Sequence, residues 1–353
     1  LLEDSRHEDQ LRSIFSEWLL TQVEQFNLKH SDYGLPDEQS YHFLRSVGEE
    51  PLRLMAHVGS SDLPWTDVVT ADYTIANRLL MDIWPLIPLV EPSETSPDWL
   101  PAQYTDERPS GGVLMTNGLW WRYFTTPNNN NRSRAAQLSN LFLCENLLQR
   151  PIRFSATALI EADNINNVVQ TDPACIGCHN VLDPLASAFF GFWWFDIYDV
   201  SELSSYHPER EFLGESTLDQ PMSYFGQPMN SPADLGPMVA QDGRFISCTV
   251  TRMTQMLWKR ELIVDDFNQL VYLQEMFKNG DLRLSALLEH IVLTSSYRAQ
   301  FTIDASNSPI EHRLKLLQPN QLHSTVQILT GFNWSEDDRP LLTSDNNGYR
   351  RML

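Results

Sequence analysis

Cys175-Ile176-Gly177-Cys178-His179 is five residues of a 353-residue chain, and it constrains the fold more than any other run. Two thiols three positions apart lie on one face of a helical turn. So placed, they reach the two vinyl groups of a single porphyrin, and the side chain that follows, His179, is directed at the iron. This is the haem c attachment pattern. The expected cofactor is therefore one covalently attached haem c, held by Cys175 and Cys178 with His179 as the proximal iron ligand. The protein then has to add a second ligand, a pocket of set polarity and the exclusion of water. With 4 cysteines and 9 histidines in the chain, chance gives this pentapeptide on the order of once per thousand such sequences. The serious rivals are chemical ones. A thioredoxin-like dithiol needs a strand before it and a helix after it in a βαβ setting, which the run before Cys175 does not offer. A structural zinc needs a fourth ligand and usually a second close pair, whereas Cys144 and Cys248 stand singly and far away.

Downstream, Phe189, Phe190, Phe192, Trp193, Trp194 and Phe195 place six aromatics in seven positions. Around a haem they form a dry wall that disfavours ferric charge and raises the potential; without one they are simply core. The candidate sixth ligand is Met229, on the proline-stiffened turn Gly226-Gln227-Pro228-Met229, with Met222, Met238 and His207 as alternatives and an open position as a further one. For Cys144 and Cys248 two readings stand. Haem c is matured where thiols are oxidised, which favours a disulfide between two helical segments; two buried free thiols are the other.

The surrounding chain reads as helical. Leu11, Ile14, Phe15, Trp18, Leu19 and Val23 predict an amphipathic helix over about residues 6 to 29, and Ile75, Leu79, Leu80 and Ile83 mark another. Pro85, Pro88, Pro92, Pro97 and Pro101 then predict a turn-rich connection and a boundary before Gly111. Leu138, Leu141, Phe142 and Leu148 predict a helix from about residue 133 that stops near Pro151. Asn128 to Asn131 is a short polar loop. Residues 204 to 243, rich in proline and glycine, read as a long loop region. Three helices follow: one with Ile246, Val250, Met253 and Leu257 on a face, one over about residues 267 to 277, and one with Leu284, Leu287, Leu288, Ile291 and Val292, N-capped by Asp281. Strand-like alternation is scarce. The expected fold is mainly α, a cytochrome c-like haem module embedded in a larger helical scaffold with long loops. Its parts would be an N-terminal helical domain (1–110), a haem c-binding domain with C-terminal helices (111–300) and a C-terminal helical segment (301–353) that could start a further module.

Composition narrows the partners. Twenty-five Lys+Arg against 46 Asp+Glu give a formal charge of -21, which repels phosphate backbones and suits either solubility or a basic docking face. Nucleic acid is not expected, and no apolar run reaches the roughly 18 residues of a membrane span. The chain starts at Leu1 with no export signal; a removed signal is one explanation.

Several segments together resemble the cytochrome-type proteins of planctomycetes and myxobacteria, built of linked domains of unknown function. Asp67-Val68-Val69-Thr70-Ala71-Asp72-Tyr73-Thr74 with Asn77-Arg78-Leu79-Leu80 resembles their first module. Gly111-Gly112-Val113-Leu114, Cys144-Glu145-Asn146-Leu147-Leu148, and the motif continuing into Leu182-Asp183-Pro184-Leu185 resemble the second, which bears the haem site. Residues 245 to 260 and 285 to 298 resemble the third, and 314 to 331 resemble a segment found near the start of such proteins. The chain departs from the pattern at Ala186, at the single Pro151 and at Lys259-Arg260. The resemblance implies a secreted or periplasmic haem protein. The expected function is a mono-haem electron carrier or the haem subunit of an extracytoplasmic redox complex, with redox proteins as partners. The alternatives are a peroxidase-like or substrate-oxidising haem enzyme with an open sixth position, and a structural or interaction protein with an accessory haem.

Overall fold

The computed structural model describes residues 6–22, 28–93, 97–149, 168–169, 171–298, 301–303, 309–312, 319–336 and 339–340. Its architecture is mainly helical. The longest helix among the described residues, Ser40–Ser60, is buried along most of its length, from Phe43 and Val47 through Glu50, Pro51 and Leu52 to Val58 and Gly59. Its apolar residues Phe43, Val47, Leu54, Met55 and Val58 fall at helical spacing, a stripe the sequence reading did not pick out, and Pro51 in its interior removes a helix donor. The carbonyl of Val47, four residues before Pro51, lies so close to Gly118 that a Cβ there would stand 2.2 Å away. Only glycine permits that approach.

Helix Arg6–Leu19 packs on Ser40–Ser60 through Leu11, Ile14, Phe15 and Trp18. It ends ten residues before the end expected from its apolar spacing, because Leu20 turns left-handed with φ 51°. Thr21 then donates its hydroxyl to Gly48 O at 2.7 Å. Residues 23–27 lie outside the described residues. The helix expected around Ile75 is half strand: Thr74–Asn77 (β1) is followed by helix Arg78–Ile83, whose start Asn77 caps by accepting from Leu80 N at 3.0 Å. The proline-rich connection holds two more strands, Leu86–Pro88 (β2) and Trp99–Tyr104 (β3), in an antiparallel sheet of order β1-β3-β2. Prolines pointed away from strands; Pro88 nonetheless ends edge strand β2, and Pro101 lies in the central strand β3, its carbonyl accepting from Leu89 N at 2.9 Å just beyond the end of β2. A second apolar cluster, including Phe43, Leu80, Trp84 and Trp121, lies against it.

Helix Arg132–Leu143 stops at Cys144, which is left-handed with φ 53°; Pro151 lies outside the described residues. In the region read as a long loop, short helices Leu213–Leu218 and Leu235–Gln241 flank a hairpin of Ser223–Tyr224 with Gln227–Pro228. The three C-terminal helices are Gly243–Trp258, Phe267–Asn279 and Leu284–Leu293. Asp281 does not cap the last of them. It and Leu282 are both left-handed with φ 55°, and the N-cap position falls to Arg283.

The main core runs from Leu11 to Ile291 and crosses residue 110. Trp18 Nε1 donates to Leu141 O at 2.8 Å and Trp65 Nε1 to Thr249 Oγ1 at 2.9 Å, so the first hundred residues and the C-terminal helices share one interior. Cys144 and Cys248 are joined by a disulfide across 104 residues. It clamps the end of helix Arg132–Leu143 to helix Gly243–Trp258. Among the described residues no helix is long and apolar enough to cross a membrane.

Candidate cofactor site

Helix Pro173–Ala186 carries the pentapeptide. Proline at its first position needs no donor, and Asp172 O accepts from Cys175 N at 2.9 Å and Ile176 N at 3.0 Å, closing the first turn. The helix is divided along its length. Its first half, with Cys175, Ile176, Cys178 and His179, is partly exposed; its second half, Leu182, Asp183, Leu185 and Ala186, is buried. The motif thus stands at the edge of the core, anchored by the half that follows it. Both cysteines are free. Cys175, Cys178 and His179 share one side of this turn and are each partly exposed, while Gly177, on the opposite side, has open space where a Cβ would stand.

His179 is held by its own helix. Its Nδ1 lies 2.8 Å from Oδ1 of Asp183, one turn later. Asp183 is in turn gripped from helix Arg132–Leu143: Arg132 Nε donates to Oδ1 at 2.7 Å and its NH2 group to Oδ2 at 2.8 Å. The Asp183 side chain is 0% exposed and that of His179 20%. Burial raises the Asp183 carboxyl, but hydrogen bonds from Arg132 and His179, together with their charges, hold it below the ordinary carboxylate range. An ionised acceptor at Nδ1 fixes the ring tautomer with the proton there, which leaves Nε2 with its lone pair for a metal.

The polar loop at residues 128–131 builds the support for Arg132. Asn129 Oδ1 accepts from Ser133 N at 2.7 Å, and Thr125 Oγ1 accepts from Asn131 N at 2.9 Å, while Asn131 turns left-handed into the helix. Two residues on, the buried Arg134 donates to Asn131 Oδ1 and to Phe192 O, tying this helix to the segment that follows the motif. Burial pulls its guanidinium down to about 9.

The Cys175 thiol is raised, first by burial and then by Asp172 and Cys178. A redox dithiol works through the opposite shift. Among the described residues no group of three or more His, Cys, Asp or Glu is placed to hold a metal ion. Two unpaired thiols and an imidazole whose Nδ1 is committed to Asp183 share this partly exposed turn, an arrangement whose donor set suits a covalently held porphyrin.

The aromatic run is divided between packing duties. Phe189 meets Trp120 edge to face at 4.8 Å, Phe192 meets Tyr206 at 5.0 Å, and Trp194 stacks on Phe124 at 5.6 Å in the second cluster, while Phe195 is 68% exposed beneath Arg210. Apart from Phe195, these rings fill the protein's own core. Met222 and Met229 close the base of the Ser223–Tyr224 hairpin, with Met229 N donating to Met222 O at 3.1 Å, and that hairpin packs against the motif helix. Both methionines are buried. Met238 sits on Leu235–Gln241, which packs on helices Asp67–Thr70 and Gly243–Trp258. His207 has its ring engaged on both sides, Nε2 with Glu202 O at 3.2 Å and Nδ1 with Glu209 at 3.3 Å. Asp183 and Arg132 are the site residues that sequence reasoning did not assign. The first is signalled by its i+4 spacing from His179; the second, 51 residues from Asp183, has no sequence signal.

No protein-family model, curated protein or solved structure matches the chain.

Proposed function

We propose that this chain is a c-type cytochrome: a mono-haem electron-transfer protein, or the haem subunit of a redox complex outside the cytoplasm. The observation that carries the reading is Cys175, Cys178 and His179 on one partly exposed helical face, with His179 Nδ1 already bound to a buried carboxylate. When bound, a haem supplies reversible one-electron chemistry at its iron. The chain's own residues do the rest. Cys175 and Cys178 hold the group through thioethers, His179 offers Nε2 to the metal, and Asp183 with Arg132 keeps the imidazole from turning. The buried half of the helix, with Leu182 and Leu185, excludes water on the protein side. Met229 is the preferred sixth ligand, because its hairpin packs on the motif helix and its donor atom belongs to no other bonded group; Met222 shares that hairpin. The Cys144–Cys248 disulfide suits an oxidising compartment. A formal charge of -21 suits a redox partner with a basic docking face.

The intact mass of the purified chain tests the reading most directly, since covalent haem adds about 616 Da and neither zinc nor a disulfide does. Replacing Cys175 and Cys178 together by serine should abolish that addition. Red colour fully extracted by acid acetone, or an unmodified mass after expression with haem c maturation, would falsify it. Carbon monoxide addressed to the reduced protein separates carrier from enzyme: a six-coordinate carrier binds it slowly, and rapid binding assigns the open-position alternative. Met229→Ala should convert a low-spin spectrum into one that takes up carbon monoxide at once; no change removes Met229 as the ligand.

A further inference from the structure

We infer that Asp183 is a positioning and tuning residue for His179, and that Arg132 moderates it from the neighbouring helix; this rests on the haem reading above. A hydrogen bond from a ligating imidazole to a carboxylate fixes the ring and raises the basicity of the ligating nitrogen. A more basic ligand stabilises ferric iron over ferrous, so the bond lowers the reduction potential. Three observations make Asp183 more than a packing residue. It is fully buried, so water does not compete for the imidazole proton. Its Oδ1 is shared between His179 Nδ1 at 2.8 Å and Arg132 Nε at 2.7 Å, so the two donors draw on the same oxygen. The second Arg132 contact, to Oδ2 at 2.8 Å, fixes the plane of the carboxylate and with it the plane in which the ring must lie. Arg132 therefore orients the acceptor and at the same time withdraws charge from it. The aromatic run was expected to raise the potential by keeping the site dry; this dyad works in the opposite direction.

The two residues give opposite predictions. In the haem-loaded protein Asp183→Asn removes the charged acceptor, and the midpoint potential should rise by at least the equivalent of a tenfold change in the ferrous-to-ferric ratio, about 59 mV for one electron. Arg132→Gln leaves the carboxylate to His179, and the potential should fall. The double variant Arg132→Gln with Asp183→Asn carries no charge imbalance and serves if the single Asp183 variant does not fold; its potential should lie above wild type. Leu287→Ala, a buried apolar truncation on helix Leu284–Leu293 away from the motif helix, is the control for destabilisation alone and should leave the potential unmoved. The inference is overturned if Asp183→Asn and the double variant hold the wild-type potential, if Arg132→Gln shifts it in the same direction as Asp183→Asn, or if Leu287→Ala shifts it as far. The two levels of failure are separable by mass: wild type without the haem addition sinks the cytochrome reading and this inference with it, whereas wild type with haem and an indifferent Asp183 sinks this inference alone.

Discussion

Glu50 and Asp183 are both 0% exposed, and their surroundings are opposite. Glu50, in helix Ser40–Ser60, accepts from uncharged donors: Thr74 Oγ1 at 3.1 Å, Tyr104 OH at 2.7 Å and Gly118 N at 2.9 Å. Asp183, in the motif helix, accepts from a guanidinium and an imidazole. Burial wins at Glu50, and its carboxyl is raised despite those three bonds and the charge of Arg108. At Asp183 the charged donors win and the carboxyl is lowered. Glu50 joins β1, β3 and the Asn117–Arg122 helix to the longest helix and reaches nothing at the surface, so it is a knot in the scaffold. Asp183 is just as deep, but one of its partners, His179, is 20% exposed and still has a nitrogen to offer. A buried carboxylate becomes part of a site when its partner faces outward.

The largest effect should come from the clamp that holds the Arg132 helix in place. Changing Cys144 and Cys248 together to alanine reopens a loop of 104 residues, and urea denaturation should show a loss of about 4 kcal/mol. On the haem reading proposed above, attachment should survive, since the clamp is at the far end of that helix from Arg132. Asp183→Asn comes next, removing the charge opposite a guanidinium that is 11% exposed, at a cost of about 3 kcal/mol at neutral pH. Because the folded Asp183 carboxyl lies below its ordinary value of 3.8, its contribution is complete above that value and fades as pH falls through the folded one. The gap between wild type and variant should therefore close in acid.

Glu50→Gln should cost about 2 kcal/mol, because an amide nitrogen would be set against Gly118 N or against two hydroxyl donors. Its pH dependence has the reverse sign. A carboxyl raised by folding stabilises the native state at low pH and loses that contribution as pH rises through the folded value, so this gap should narrow toward alkaline pH. Equal pH slopes for the two variants would remove the distinction between the sites. The smallest change is expected from Phe195→Ala: an exposed ring under Arg210 is worth about 0.5 kcal/mol. A thermal scan showing a loss as large as that of Phe190→Ala would mean that the whole aromatic run acts as one unit.

Sequence periodicity carried the C-terminal helices and the start of the chain, where one face of each helix meets the core and the other meets water. It missed Ser40–Ser60, whose apolar spacing is interrupted by the helix breakers Gly48 and Pro51, and it missed the small sheet, because three short strands among prolines carry no sustained alternation. The site divided in the same way. Cys175, Cys178, His179 and Asp183 are within nine residues, and their relation follows from helical spacing alone. The sequence by itself determined the mainly helical architecture and the gathering of Cys175, Cys178, His179 and Asp183 on one helix, since both depend on contacts between near neighbours in the chain. Only the tertiary structure decided that Arg132 grips Asp183, that Cys144 meets Cys248 and that the Met222–Met229 hairpin lies against the motif helix. Those contacts span long loops whose closure is fixed by packing the whole core, and no local spacing encodes it.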